Sequence, residues 1–357
     1  CNNQEEKIMK KRTACLFALM LAMTTALTGC TGVNKLDNSA EAASVDGVSI
    51  PLGEVNFLLR YQQTQMSAYS SYFGEDFMNQ DLSGSGSIYG ETVKSSIVDT
   101  LEEYYLVEAH AEELGESLSD EEKAAAEDAA QSFLDANDSK TLTVMSADKD
   151  TVAHVLELMA LQQKVYGNLA QTIDTNVDDA EAAQKTISYV RSSTSGTTDE
   201  DGNTVELTEE ELAEKKDVLE QIRAEAEESG DLSAAAENHD LTATTSSYGA
   251  DDESLNDTIK AAADALSDGE YADIVEGDNA YYLIHMDSTF DEAATQTKKE
   301  SILEQRKQDA YTNWVDGLKE SAEITTNDDN LSKLTFERVF KIKEDTSEGD
   351  ASKGDNE

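Results

Sequence analysis

The sequence predicts an α+β fold in which helices dominate. Pro51 is the only proline among 357 residues, and the abundance of Ala, Glu, Gln, Lys and Leu favours helix formation. Apolar residues recur at helical spacing along most of the chain. The few strand-like runs are clustered instead of alternating with helices, which favours α+β over a doubly wound α/β fold.

The N-terminal region has the pattern of an export signal. Four basic residues precede an apolar run from Ala14 to Leu27, and small residues then lead to Cys30. This order is typical of a secretory signal peptide, and the run is shorter than the roughly 20 apolar residues of a membrane-spanning helix. We expect translation to start at Met9, and we exclude residues 1–29 from fold prediction.

The segment Leu27-Thr28-Gly29-Cys30 resembles a bacterial lipobox. The resemblance implies cleavage before Cys30 and lipidation of its thiol, which would anchor the protein to the extracytoplasmic face of a bacterial cell membrane. Residues 30–43 would then form a small, polar tether. The alternatives are an ordinary signal peptide with an incidental cysteine, or an uncleaved anchor.

The chain is strongly acidic, with a net charge of −48. Such a chain repels nucleic acid, which we therefore exclude as a partner. The other two cysteines, Cys1 and Cys15, precede Cys30, so the mature protein is expected to contain no disulfide. The charge is interpreted first as a source of solubility, and second as an attraction for basic clients or cations.

Residues 44–184 are predicted to form a helical domain. Residues 44–50 read as a strand with a turn at Asp46-Gly47, and Pro51 is suited to begin a helix. A capping box, Ser119 to Glu122, begins a further helix. Other helices are expected at residues 91–114 and 149–169, with a long loop over 67–90.

Residues 185–290 are predicted to form a compact α+β domain. Strands are expected at 186–191, 271–276 and 280–286, and a second capping box at Thr208 begins a long helix. Residues 291–342 are predicted to contain a helix capped by Thr297 and two strands, at 322–326 and 334–342. The charged tail, residues 343–357, is predicted to be disordered.

The order of these parts resembles PrsA/SurA-type foldases. SVDGVSIPLGEVNF (residues 44–57) is similar to the first strand and helix of that family's chaperone domain, and residues 298–324 are similar to its returning C-terminal helix. AAADALSDGEYADIV (residues 261–275) resembles a helix-turn-strand of parvulin-type peptidyl-prolyl isomerases. The resemblance implies a SurA-like chaperone domain, an inserted parvulin-like domain, unfolded exported polypeptides as partners, and no cofactor or metal.

The same resemblance implies where an isomerase site would lie. Active parvulins have one histidine on the first strand and another on the last, and here those positions correspond to Ser188 and Tyr282. Leu255 and Ile259 correspond to the family's proline-slot residues, and Tyr248 lies in the segment before them. We expect these five residues to line a peptide-binding groove, with isomerase activity weak or lost.

Three further candidate sites are weaker. The four histidines lack the spacing of metal ligands. Residues 199–210 fit a calcium-loop template except that Thr204 replaces its glycine.

The aromatic-rich stretch is expected to pack into the helical core, with client binding as the alternative interpretation. Its members are Tyr61, Tyr69, Tyr72, Phe73 and Phe77, beside Met66 and Met78.

We therefore predict a lipid-anchored extracytoplasmic folding factor. The alternatives are a solute-binding lipoprotein, which the scarcity of strands disfavours, and a surface structural or adhesive lipoprotein. The sequence leaves the clients and the oligomeric state open.

Overall fold

A computed structural model describes residues 36–198, 204–250, 252–253, 255–277 and 279–337. The chain divides into two compact units. The first, unit 1, comprises the described residues up to Ile173 and those from Lys307 onwards, and the second, unit 2, spans Asp174–Arg306. The signal segment, Cys30 and the acidic tail lie outside the described residues.

Helices dominate the structure, and two antiparallel sheets of three and four strands accompany them, so the predicted helix-rich α+β class is confirmed. The chain begins with β1 (Glu41–Val45), β2 (Val48–Pro51), α1 (Leu52–Gln65), α2 (Ser70–Phe73), α3 (Tyr89–His110), α4 (Asp120–Ala136), α5 (Ser139–Met145), α6 (Lys149–Leu169) and α7 (Asp179–Ala182). It continues with β3 (Lys185–Ser193), β4 (Thr197–Thr198), β5 (Thr204–Val205), α8 (Glu209–Ser229), α9 (Leu232–Glu237), β6 (Ala243–Tyr248), α10 (Asp257–Asp264), β7 (Val275–Gly277), β8 (Ala280–Ser288), α11 (Glu292–Lys319), β9 (Ile324–Thr326) and α12 (Asp328–Leu331). Within these described parts, none of the helices is both long and apolar enough to cross a membrane.

Unit 1 contains a three-stranded sheet in the order β2-β1-β9. β1 and β2 form a hairpin, whose turn places Asp46 and Gly47 at positive φ values of 50° and 78°, as two-residue hairpin turns require. The expected single strand is thus two strands. β1 begins at Glu41 and its alanines are buried, so the last residues of the segment predicted to be a tether belong to the sheet.

The main core of unit 1 lies where α1, α3, α4 and α6 meet the sheet. Phe57 of α1 contacts Phe133 of α4 edge to face, with ring centroids 5.5 Å apart. Apolar burial of this kind stabilises a fold by about 25 cal/mol per Å², so this core is the main source of the unit's stability.

The capping boxes predicted at Ser119 and Thr208 are both confirmed. Ser119 Oγ accepts a hydrogen bond from the Glu122 amide at 3.2 Å, and the Glu122 carboxylate accepts one from the Ser119 amide at 2.8 Å. The cap predicted at Thr297 is wrong. α11 begins five residues earlier, because the Asp291 carboxylate accepts the Ala294 amide at 2.9 Å and satisfies the helix terminus there.

The C-terminal segment of the described chain is bound along unit 1. Arg60 Nη2 donates to the Thr335 carbonyl at 2.9 Å, and Lys94 Nζ donates to the Leu331 carbonyl at 3.2 Å. Phe336 is buried against Gly90. Residues 334–337 form no regular structure, because their carbonyls bond to side chains instead of a strand partner; the rest of the strand predicted for 334–342 lies outside the described residues.

Unit 2 is built on a four-stranded antiparallel sheet in the order β6-β3-β8-β7. Helices α8 and α9 pack on one face, over Val190 and Leu283. Helix α10 packs on the other face, over Ile187, Ile284 and Met286. The central strands β3 and β8 are therefore covered on both sides, and each face has its own core.

Candidate peptide-binding site

The structure brings together four of the five residues predicted to line a groove. Tyr248, Leu255, Ile259 and Tyr282 all belong to the cluster between the sheet and α10, which we call the apolar face. Ser188 does not join them, because it pairs with His285 across β3 and β8. Side chains alternate along a strand, so Ser188 and Tyr282, three positions apart in this register, lie on opposite faces.

Tyr189 is the β3 residue that shares the apolar face with Tyr282. Their ring centroids are 6.2 Å apart, with the ring planes inclined at 59°. Ser188 is therefore not part of the lining of this face, where the aromatic pair that spans β3 and β8 is Tyr189 with Tyr282. The sequence signal that could have found Tyr189 was the alternation within β3, where Ile187 and Tyr189 belong together.

Tyr248 connects the apolar face to a charged rim. Its hydroxyl donates to Asp264 Oδ1 at 2.9 Å, and Lys185 Nζ donates to the same oxygen at 2.9 Å. Burial, and then the bond to Asp264, raises the pKa of Tyr248 well above its usual value. Burial acts to raise the pKa of the Asp264 carboxyl, but the hydrogen bonds from Lys185 and Tyr248 lower it overall, so Asp264 is an anion and Tyr248 a neutral donor at neutral pH.

The two predicted proline-slot residues are packed into this cluster. Leu255 is 6 % exposed and Ile259 is 4 % exposed. They contribute to the core under α10, and their role in holding a proline ring stays a prediction. None of the described residues of the apolar face is a histidine, so this face supplies no imidazole for acid–base chemistry.

Ser188 belongs to a polar network on the opposite face of the sheet. Its hydroxyl donates to Asp287 Oδ2 at 2.7 Å and lies 3.0 Å from the hydroxyl of Thr245. Asp287 Oδ1 lies 2.5 Å from His285 Nδ1. The serine hydrogen bonds to the carboxylate and not to the imidazole, so these groups are not arranged as a serine nucleophile with its base.

A second surface, on unit 1, exposes several aromatic side chains. Tyr69 is 52 % exposed, Tyr72 is 82 % exposed and Phe73 is 50 % exposed, and the rings of Tyr69 and Phe73 lie 6.5 Å apart. We call these three residues the aromatic ridge. The prediction that the aromatic stretch packs into the core holds for Phe77 and Met78, which are buried, and for Tyr61 and Met66, which pack against the core. It is wrong for the ridge, because the short helical turns at Met66–Tyr69 and Ser70–Phe73 bury none of their residues.

The calcium template and the possible metal-ligand groups are the remaining candidate sites. Asp199, Asp201 and Asn203 of the calcium template lie outside the described residues, and Glu210 is in the first turn of α8. Among the residues that the structure describes, no group of three or more histidine, cysteine or carboxylate side chains could hold a metal ion.

Comparisons with known proteins give structural neighbours only. No protein-family profile matches the sequence, and no curated protein matches it. Among solved structures, the chain is similar to the foldase PrsA of Lactococcus lactis, at 14 % identity and a TM-score of 0.32 over 78 % of this chain and 90 % of that one.

Two further solved structures are similar to this chain. A SurA-like chaperone of Campylobacter jejuni has 12 % identity and a TM-score of 0.29, over 81 % of this chain and 99 % of that one. The peptidylprolyl isomerase PrsA of Bacillus cereus has 18 % identity and a TM-score of 0.30, over 72 % of this chain and 96 % of that one. These proteins are of the kind that the sequence segments resemble.

Proposed function

We propose that this protein is a folding factor that binds unfolded exported polypeptides outside the cytoplasm, held at the membrane by a lipid on Cys30. The aromatic ridge carries the proposal. Three large aromatic side chains at least half exposed on one short segment are unusual on a soluble surface unless they bind something. Tyrosine and phenylalanine contribute large contact areas to such binding, which suits varied unfolded chains.

The segment-by-segment resemblance to PrsA/SurA-type foldases supports the same proposal, because it assigns unit 1 to chain binding. The surroundings of the ridge are also suitable. Between Arg60 and Lys94 the sequence contains no basic residue, whereas it contains Glu75, Asp76 and Asp81. The ridge therefore offers apolar contact within an acidic region.

We further propose that unit 2 binds chains without isomerising them efficiently. Rotation about an X–Pro bond has a barrier of about 18–20 kcal/mol, and the resemblance assigns two histidines to its catalysis. The resemblance places Ser188 and Tyr282 at the histidine positions, and the ring that accompanies Tyr282 on the apolar face is that of Tyr189. NMR measurement of cis/trans exchange in a proline-containing peptide should show that this protein accelerates the exchange only slightly. Exchange rates near those of active parvulins would contradict this part of the proposal.

An aggregation assay with an unfolded client tests the binding function. The full mature chain should suppress aggregation at an equimolar ratio. The triple variant Tyr69→Ser/Tyr72→Ser/Phe73→Ser should lose most of this effect without a change in melting temperature, since the ridge is exposed. The matched control is Phe290→Ser, which removes an aromatic ring that is 44 % exposed elsewhere on the chain.

Two results would overturn the proposal: no suppression by the wild-type protein, or equal suppression by the triple variant and the wild type.

Lipidation is tested separately. Labelling of cells with a radioactive fatty acid should mark the wild-type protein and not a Cys30→Ala variant, and label on both would refute the anchor at Cys30.

A further inference from the structure

An acidic cleft opens on the face of the unit 2 sheet opposite the apolar face. Its volume is about 510 Å³, within the range of small-ligand sites. Ser188, Thr245, His285 and Asp287 lie on the sheet side of this cleft. Because Ser188 and His285 both bond to Asp287, the carboxylate is held in a fixed position.

The helical side of the cleft adds two more carboxylates. Asp231, at the start of α9, accepts the Ala234 amide at 2.9 Å. Glu227, near the end of α8, also lines the cleft; the residue is exposed, and its side chain makes no hydrogen bond or ion pair with any described residue. Neither lysine nor arginine occurs among the described lining residues. Glu227 therefore has its full hydrogen-bonding capacity available to a ligand.

Tyr271 adds an aromatic group to the lining of the cleft. Its ring centroid lies 4.5 Å from that of His285. Burial, and then the charges of Glu227 and Asp287, raise the pKa of Tyr271, and these two carboxylates line the cleft from its helical side and its sheet side. A carboxylate beside an aromatic ring is the arrangement that binds a guanidinium or ammonium group, through ion pairing and cation–π contact.

We propose that this cleft binds the cationic side chain of an arginine or lysine in an unfolded polypeptide. The inference rests on the proposed function and specifies its substrate class: segments in which basic residues accompany apolar ones. The net charge of −48 favours the same clients, because a negative surface raises the rate at which positively charged segments arrive.

The test is peptide binding to the full mature chain, measured by fluorescence anisotropy. The probe is a labelled, unstructured peptide with apolar residues and two arginines, compared with the same peptide in which citrulline replaces both arginines. Citrulline keeps the shape of arginine and removes its charge. We expect Glu227→Gln to weaken binding of the arginine peptide about threefold to fivefold, as for a partly exposed ion pair, and to leave the citrulline peptide unaffected.

The matched control is Glu214→Gln, which makes the same change of charge on an exposed part of α8 outside the cleft. It should not alter binding of either peptide. Since Glu227 has no described partner, its substitution should not affect folding. An equal loss in the control and in Glu227→Gln would overturn the cleft proposal, as would equal binding of the two peptides by the wild type.

An unfolded client without lysine or arginine separates this inference from the proposed function. If the wild-type protein suppresses aggregation of that client but arginine adds nothing to peptide affinity, only the cleft proposal fails. If that client and both peptides remain unbound, the proposed function fails as well.

Discussion

His154 and Glu54 form an ion pair at the edge of the unit 1 core, and its removal should make stability depend less on pH. His154 Nδ1 lies 2.8 Å from Glu54 Oε1, and Nε2 lies 3.6 Å from Glu108 Oε1. The neighbouring carboxylates of Glu108 and Glu54 raise the pKa of His154 from 6.5 to about 10. Glu54 lies closer to the imidazole than Glu108 and is more deeply buried. We therefore assign the larger part of this rise in pKa to Glu54.

The magnitude follows from this pKa. Each unit corresponds to about 1.4 kcal/mol, so the whole shift would correspond to about 5 kcal/mol. The side chain of His154 is one third exposed, and water screens the interaction; we therefore expect about 2 kcal/mol. The folded-state pKa is the higher one, so this stabilisation is complete below pH 6.5 and is lost as pH rises through about 10.

The assay compares urea unfolding of the wild type and His154→Gln at both ends of this pH range. Trp314, the only tryptophan, lies in unit 1 and provides a fluorescence signal specific to it. The variant should be less stable by about 2 kcal/mol at the acidic end, and the difference should shrink towards the alkaline end. The control is His110→Gln, whose partner Glu113 is mostly exposed.

A difference between wild type and His154→Gln that is the same at both ends of the pH range would refute this reasoning. It would mean that His154 contributes by packing against Tyr105, whose ring it contacts at 5.7 Å, and not by its charge.

Three other predictions concern stability in urea or heat. Ser119→Ala removes the hydrogen bond from the Glu122 amide and should lower the free energy of unfolding by about 1 kcal/mol. The control Ser117→Ala should have little effect, because Ser117 is bonded only through its backbone oxygen; equal losses in the two variants would contradict the capping role. Phe336→Ala empties a buried position and should destabilise unit 1 by about 3 kcal/mol, so an unchanged melting temperature would show that the C-terminal segment is not docked. Tyr248→Phe removes the bond to Asp264 and should cost about 1 kcal/mol; no loss in calorimetry would indicate that water replaces the bond.

The helices could be predicted from the sequence because their signals are local. The capping boxes at Ser119 and Thr208 depend on residues three positions apart, and the helix at Lys149–Leu169 has the predicted bounds. β6 was missed, because ATTSSY has no apolar alternation and pairs with β3 through its backbone. Strand formation of this kind depends on a distant partner, which no local pattern shows.

The candidate site could be predicted only in part, for the same reason. The resemblance implied that Leu255 and Ile259 lie together, and both belong to the cluster under α10. To decide whether Ser188 or Tyr189 lies on the apolar face, one needs the register of β3 against β8. A shift of one residue in that register moves every side chain of the strand to the other face of the sheet. The exposure of Tyr72 depended on how little of α2 the rest of unit 1 covers.

The strand order β2-β1-β9 has a consequence for biogenesis. β1 pairs with β9 through Val45 and Ile324, so the sheet of unit 1 unites the two ends of the described chain. Unit 2 is continuous in sequence and can fold as soon as its last residue has been synthesised. Unit 1 must wait for β9, so a co-translational folding experiment should find its early half still accessible to protease after unit 2 has become resistant.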